Sequence, residues 1–342
     1  MNKKILVSIL GVIVLILGII GLNYYFKIFG KNVTISGDIY IKSSDKFGNV
    51  IEEVSPFVDD LGDFIWMANQ KKYRNIKGGR YILKKGMSAN ELVNLLRSGN
   101  QTPILVSFNN QDTLEKLAGR IAEQIEADSI SLLNAFRDSE FLASNKLNQK
   151  SALEIFLPNS YEFYWNTSAE SFRKRMLTLY NHFWTKDRLQ KAENLNLTRS
   201  EVITLASIVQ KETAQKSERP IVAGLYLNRL KSGIPLQADP TVIYAIKQEK
   251  GQDFEVKRVL LVDLKLESPY NTYMHRGLPP SLIAMPDISS IDAVLNPTKH
   301  NYIYMCADVD NLGFHAFATT LREHNRNAAK YHQWITKQGI NR

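Results

Sequence analysis

From Ile5 to Leu22 the chain carries no charge, and Asn23-Tyr24-Tyr25-Phe26 then leads into Lys27. As a helix rising about 1.5 Å per residue, Ile5 to Phe26 would be about 33 Å long, enough to cross the hydrocarbon of a bilayer. Beyond it the apolar positions become periodic. Residues 33–72 read as strands and loops with few strong signals. Gly79-Arg-Tyr-Ile-Leu83 predicts a short strand, and Ser88-Ala-Asn-Glu91 is a capping box flanked by Met87 and Leu92 as a hydrophobic staple. Leu92, Leu95 and Leu96 then form a helical stripe that Gly99 ends, and Pro103 to Phe108 returns as a strand. Leu114, Leu117, Ile121 and Ile125 recur at helical spacing, and Ile130 to Phe136 is a further short helix. Phe156 to Tyr164 is an aromatic loop, and Ser168 to Leu195 is helical again.

Thr198-Arg-Ser-Glu201 is a second capping box, with Leu197 and Val202 as its staple. It opens a helix in which Val202, Leu205, Ile208 and Val209 share a face. Glu212 lies seven residues beyond Leu205 and four beyond Ile208, so it falls on that same face. A carboxylate among apolar side chains is costly unless partnered, and desolvation raises its pKa, as a general acid near neutral pH requires. The same spacing also fits a buried structural ion pair, with Arg219 or Arg229 as the partner. Downstream lie Leu236-Gln237-Ala-Asp239-Pro240, Ser268-Pro-Tyr270-Asn271-Thr272-Tyr273 and Gly277-Leu-Pro-Pro280. Such polar and aromatic loops suit carbohydrate, whose apolar faces stack on rings and whose hydroxyls pair with amides, but they are equally common as plain turns.

Charge and cysteine content narrow the setting. A formal net charge of +9 suits nucleic acid, anionic lipid or an acidic wall polymer, and behind a membrane helix nucleic acid is the poorest fit. Cys306 is the one cysteine, in the apolar run Tyr302 to Ala307, so an intramolecular disulfide and a thiolate metal cluster are both excluded. No cysteine near the N-terminus could carry a lipoprotein anchor. The apolar run is long for a signal peptide, and no small-x-small site follows it, which favours an uncleaved anchor over the rival reading of a cleaved leader. Lys3 and Lys4 place the N-terminus in the cytoplasm and the rest of the chain outside, although Lys27 and Lys31 weigh against that bias. His275, His315, His324 and His332 show no i, i+4 pair of the kind a zinc helix uses, so no metal and no cofactor are expected. A nucleophile elbow and a phosphate loop are also missing.

Taken in order, Leu205-Ala-Ser-Ile-Val-Gln-Lys-Glu-Thr213, Ser-Glu-Arg-Pro220, Asn228-Arg-Leu, Leu236 to Tyr244, Tyr270-Asn-Thr-Tyr273, Gly-Leu-Pro-Pro280 and Glu323-His-Asn325 closely resemble the YceG-like family of endolytic murein transglycosylases. The resemblance is dense from about Leu197 onward and thinner before it, where the 79–108 unit resembles a LysM-like subdomain. It implies that the essential carboxylate is the glutamate of Lys-Glu-Thr, Glu212. Gln210 stands where many members carry another glutamate, and Glu218 takes a structural role. Asn159 replaces an aspartate of the family's Phe-Pro-Asp-Thr-Tyr pattern, and Ser281 replaces a glycine after Gly-Leu-Pro-Pro.

The fold expected is α+β: a cytoplasmic tail (1–4), a transmembrane helix (5–26), a LysM-like small α+β subdomain (27–108), a helical intermediate region (109–196) and a mixed α/β catalytic domain (197–342). The activity implied is cleavage within peptidoglycan glycan strands at the plasma (inner) membrane, terminating elongation near penicillin-binding synthases. Glu212 would protonate the glycosidic oxygen and then deprotonate the C6 hydroxyl of N-acetylmuramic acid, which closes a 1,6-anhydro ring. Asn228, Gln237, Asp239, Tyr270, Asn271, Tyr273 and His315 are the candidate sugar contacts. Two alternatives stay open: a muramidase-type hydrolase of the same polymer, and a non-catalytic anchored scaffold that binds peptidoglycan.

Overall fold

A computed structural model describes residues 3–337 and divides the chain into two compact units. The first holds the chain through Val106 together with Ala122–Asp128 and Tyr161–Ser168. It begins with helix α1 (Lys3–Phe29), whose most apolar 18-residue window has a mean hydropathy of 3.1 and whose Ile5–Phe29 stretch exposes apolar side chains all round. Among the described residues it is the one helix long and apolar enough to cross a membrane, and it runs three residues beyond the expected Phe26. Its polar end is tied down within the unit: Lys27 pairs with Asp63 at 3.0 Å, and Tyr24 meets Trp66 with ring centroids 5.8 Å apart. Met1 and Asn2, half of the expected tail, lie outside the described residues.

Strand β1 (Gly37–Ile41) pairs antiparallel with β2 (Gly79–Leu83), Gly37 opposite Leu83 and Ile41 opposite Gly79. Ile39, Ile41, Tyr81 and Leu83 alternate inward, as a pleated pair with one covered face must. Between the strands run α2 (Phe47–Val54) and α3 (Leu61–Gln70), where strands and loops were expected. Both helices are short, and each buries only two or three side chains: Val50 and Val54, then Phe64, Met67 and Ala68. That is too little periodicity to stand out, and Gly48 and Gly62 in their first turns lower the helical propensity further.

Helix α4 (Ala89–Ser98) keeps its predicted ends. Ser88 and Glu91 cap each other reciprocally, and Gly99 stops the helix at φ 73°. The strand–helix–strand unit read from 79–108 is not a paired unit, however. Strand β2 returns to β1, whereas β3 (Ile104–Phe108) pairs with β4 (Asn159–Phe163), a strand inside the stretch expected to be an aromatic loop.

The second unit is mainly helical: α5 (Leu114–Ala122), α6 (Ser129–Phe136), α7 (Ser139–Ser144), α8 (Ala169–Phe183) and α9 (Lys186–Asn194) lead to α10 (Arg199–Glu212). The expected helix from Ser168 to Leu195 is broken at Trp184-Thr185, where Thr185 caps α9 by accepting from the Arg188 N–H. Around α10 pack α11 (Arg219–Lys231), α12 (Asp239–Lys250) and α13 (Ile288–Leu295). Every residue from Val202 to Val209 is buried, so α10 is a central rod and not an amphipathic surface helix. Its buried Ser207 hydroxyl is satisfied within the core: it donates to the Thr204 carbonyl (2.7 Å) and accepts from the Ile283 N–H (3.0 Å). The second of these bonds pins the segment after Gly-Leu-Pro-Pro against the rod. A hairpin of β5 (Tyr304–Ala307) and β6 (His315–Ala318), backed by α14 (Leu321–Lys337), completes the unit.

Candidate active site

Glu212 is the last residue of α10. The reciprocal Thr198–Glu201 cap fixes where the helix starts, and Thr213 turns to extended backbone at φ −134° and ψ 133°, which fixes where it stops. Part of the Glu212 side chain still meets solvent, yet protein packs densely around it, and the dense packing governs its proton. Desolvation raises its pKa above the ordinary carboxyl value. The charge of His315 and a hydrogen bond from Tyr226 oppose the rise, whereas Asp239 and Glu218 add to it. The position at a helix C-terminus acts in the same sense as desolvation, because the negative end of the helix dipole disfavours a carboxylate.

The ion pairs that would have made Glu212 structural do not form. Arg219 is buried against Asp287 (2.9 Å) and the Ser289 hydroxyl (2.6 Å). Arg229 gives its hydrogen bonds to the Pro235 and Ile303 carbonyls and to the Gln237 side-chain oxygen. The partner of Glu212 is instead the hydroxyl of Tyr226 on α11, which donates to Oε2 at 3.0 Å. Sequence reasoning missed Tyr226. The available signal was a tyrosine set among Val222, Ala223 and Leu225 on a buried helix, since a buried phenol needs an acceptor.

The loop from Leu236 to Asp239 is held by Thr272, another residue whose role was missed. The Thr272 carbonyl accepts from the Gln237 N–H (3.1 Å), and its hydroxyl accepts from the Ala238 N–H (3.0 Å). Gln237 is thereby kept in the left-handed region at φ 52°, a conformation that costs a non-glycine residue energy and tends to mark functional loops. Asp239 opens α12 with its carboxylate exposed and accepting from the Tyr273 hydroxyl at 2.6 Å.

His315, on β6, is fixed twice by Glu218: Nδ1 lies 2.8 Å from Oε2, and its backbone N–H donates to Oε1 at 2.7 Å. Glu218 is 3% exposed and takes a third bond from the Thr213 hydroxyl. Glu212, Asp239, Tyr273 and His315 are thus electrostatic or hydrogen-bonded neighbours, with Gln237 joined through Arg229.

Of the other candidates, Tyr270 and Asn271 face inward and Asn228 is half-buried. Tyr270 is buried, with its hydroxyl 2.7 Å from that of Ser281 and its ring against Tyr244. Asn271 is fully buried and donates to the Leu264 and Leu266 carbonyls. Asn228 donates to the carbonyls of His300 and Tyr302. Gln210 accepts from the Ser290 hydroxyl at 2.6 Å and so braces α13. His275 and His332 are exposed, and the His324 ring stacks on Tyr304 with centroids 5.3 Å apart. Among the described residues, no three His, Cys, Asp or Glu side chains converge as a metal site would require.

The sequence profile of the YceG-like family matches residues 39–330. The chain belongs to the YceG-like family. The match takes in both units and every residue of the site just described. A protein of Bacillus subtilis (strain 168) named endolytic murein transglycosylase is 32% identical over 279 residues, covering 76% of this chain and 75% of its own. A protein of the same name from Streptococcus pneumoniae D39 is 27% identical over 317 residues, and the match spans 83% of this chain but only 57% of that longer one. A crystal structure from Listeria monocytogenes, described as yceG-like, superposes with a TM-score of 0.56 at 27% identity. It covers 85% of this chain and 98% of its own.

Proposed function

We propose that this chain is a membrane-anchored lytic transglycosylase that cuts the MurNAc–GlcNAc bond within peptidoglycan glycan strands and leaves a 1,6-anhydro-MurNAc end. The observation that carries this reading is a single carboxyl group, Glu212, whose burial favours the protonated form. Ordinary glycoside hydrolases need two working carboxylates, one as acid and one as nucleophile or base. Here the nearby Glu218 is consumed by three hydrogen bonds, and the other neighbouring carboxylate, Asp239, is engaged by the Tyr273 hydroxyl and takes an electrostatic role. An intramolecular hydroxyl removes the need for a second, because holding the C6 oxygen against C1 supplies a high effective concentration.

Glu212 donates its proton to the departing oxygen and afterwards serves as a carboxylate base. Asp239 steadies positive charge growing on the sugar ring, and Tyr273, Gln237 and His315 present polar edges to the substrate. Asn228, Tyr270 and Asn271 act one step back, by fixing the loops that carry those edges. The first unit, a small α+β module with two helices between antiparallel strands, is read as LysM-like and as a second glycan contact. The anchor sets the enzyme in the plasma membrane with the N-terminus inside, where newly made strands emerge and penicillin-binding synthases are the fitting partners.

Digestion of purified peptidoglycan by the full chain tests the reaction. Mass spectrometry should find ends lighter by one water than hydrolytic ends, on products many disaccharides long at early times. Reducing ends would point to a muramidase, early release of anhydro-disaccharides alone to an exolytic enzyme, and an absence of cleavage to a scaffold. The anchor predicts that full-length protein stays with membranes through high-salt and carbonate washes. Finding it instead in the soluble fraction, shortened at its N-terminus, would sink the anchored reading.

Tyr226→Phe tests the acid directly. The tyrosine hydroxyl favours the ionised form of Glu212, so losing it raises the Glu212 pKa further. The active acid form then persists to higher pH, and the alkaline limb of kcat/KM should move upward. A limb that stays in place or moves down would contradict the assignment of that limb to Glu212.

A further inference from the structure

His315 is built in a way that sugar contact alone does not require. Its ring is fixed at Nδ1 by Glu218 Oε2, at 2.8 Å, and the other oxygen of the same carboxylate holds its backbone N–H at 2.7 Å. A carboxylate at Nδ1 needs an N–H there to accept from, so Nε2 is the ring nitrogen left to exchange a proton. A carboxylate that orients an imidazole and stabilises its protonated form is the arrangement by which enzymes turn histidine into a general base. The chain ties this pair to the acid. Thr213, which donates to Glu218 at 2.8 Å, is the residue next to Glu212, and the charge of His315 bears on the Glu212 proton more than that of any other ionisable group.

We propose that His315, through Nε2, is a second proton-transfer group of this site, which takes the C6 hydroxyl proton during ring closure, and that Glu218 is its positioning residue. The proposal rests on the transglycosylase reading and divides the work there assigned to Glu212 alone. The bond between C1 and the leaving oxygen breaks with its electron pair going to that oxygen, which receives the proton of Glu212. The C6 oxygen bonds to C1, and its proton passes to Nε2. The leaving oxygen and the C6 oxygen occupy the same face of the sugar, because the bond broken and the ring closed share one configuration at C1. Two adjacent side chains can therefore serve them both.

The electrostatics favour such a division. Once Glu212 has given up its proton it is a carboxylate in the electrostatic reach of the imidazole that Glu218 holds at Nδ1. Loss of the proton from Glu212 is easier with an imidazolium nearby, because a positive charge favours the carboxylate. Transfer of the proton from His315 to Glu212 restores both groups, with no co-reactant required.

Full-length wild type, His315→Asn and Glu218→Gln, given purified peptidoglycan, separate a proton-transfer role from a structural one. Asparagine places an amide nitrogen near the position of Nδ1, so the bond to Glu218 can persist while Nε2 is lost. For His315→Asn, kcat should fall on the order of 10²-fold with little change in KM, and some of the remaining ends should be reducing ones as water replaces the C6 hydroxyl. Glu218→Gln keeps the imidazole without its second acceptor and should fall between that variant and wild type. Retention of kcat within about twofold by His315→Asn would overturn the proposal, since the expected contribution of a general base is at least tenfold greater. So would a loss confined to KM with every end still anhydro. Should the asparagine variant melt well below wild type, His315→Gln, which retains an amide near the Nε2 position, is judged by the same readouts. Wild-type protein that releases only reducing ends would instead overturn the transglycosylase reading.

Discussion

Glu212→Gln is expected to lower glycan cleavage by about 10²–10⁴-fold or more, the range typical for losing a general acid. The amide matches the carboxyl in shape, and its oxygen can still accept the Tyr226 hydroxyl, so the site should stay assembled and continue to bind glycan. The structure adds an expectation for stability. A carboxyl group in a desolvated position at a helix C-terminus is held there at a cost, and the neutral amide relieves it. Thermal unfolding of the variant should therefore match or exceed that of wild type. Near wild-type cleavage by the purified glutamine variant would remove Glu212 from the mechanism, and a marked drop in its melting temperature would contradict the account of its environment.

The largest effect on stability is expected from Asp287→Ala. Arg219 is 3% exposed while the Asp287 side chain keeps 27% of its surface, so the two partners are not equivalent. Removing the aspartate strands a guanidinium that water cannot reach, a change that costs about 3–5 kcal/mol in comparable buried pairs. Arg219→Met leaves instead a carboxylate with access to solvent and should cost less. Urea unfolding of the two variants reads the asymmetry, and equal losses would refute it.

Acid adds a second readout for the same pair. Burial alone would push the Asp287 carboxyl up, but hydrogen bonds from Arg219, Asn110 and Gln210 together with the Arg219 charge more than reverse this, and its pKa lies below the ordinary value. A depressed carboxyl pKa contributes stability that is present above the unfolded-state pKa and is lost as pH falls through the folded-state one. Wild type should therefore lose part of its advantage over Asp287→Ala on acidification below the usual carboxylate range.

What could be read in the sequence follows from how local each signal is. The caps at Ser88 and Thr198 are contained in four residues apiece, and both were legible with their reciprocal glutamates. Glu212 was legible for a reason that turned out too narrow. The spacing argument assumed one apolar face, whereas α10 is buried all round, and the carboxyl is set apart by standing at its end. Helices α2 and α3 were hidden because helices of 8 and 10 residues with two or three inward side chains barely repeat. The pairing of β2 with β1 was hidden because strand partners across some forty residues leave no local trace. Tyr226, Thr272 and the triple bonding of Glu218 were hidden for the same reason: each binds residues distant in sequence. Tyr270 and Asn271 looked like sugar readers because aromatic and amide side chains serve equally well to tie a loop to itself, as they do here.

Glu212 and His315 sit on supports of very different durability. Glu212 ends a helix whose amides from Val202 to Val209 are sealed in the core, and such amides exchange with solvent only when the whole unit opens. The imidazole rides on a four-residue strand of a two-stranded hairpin in which His315, Ala316 and Phe317 all remain partly open to water, the kind of element that frays at little cost. Deuterium should therefore enter β6 long before it enters α10. On warming, the site should come apart from the hairpin side first, at temperatures where the bulk of the molecule is still folded, and activity should fade ahead of the melting transition.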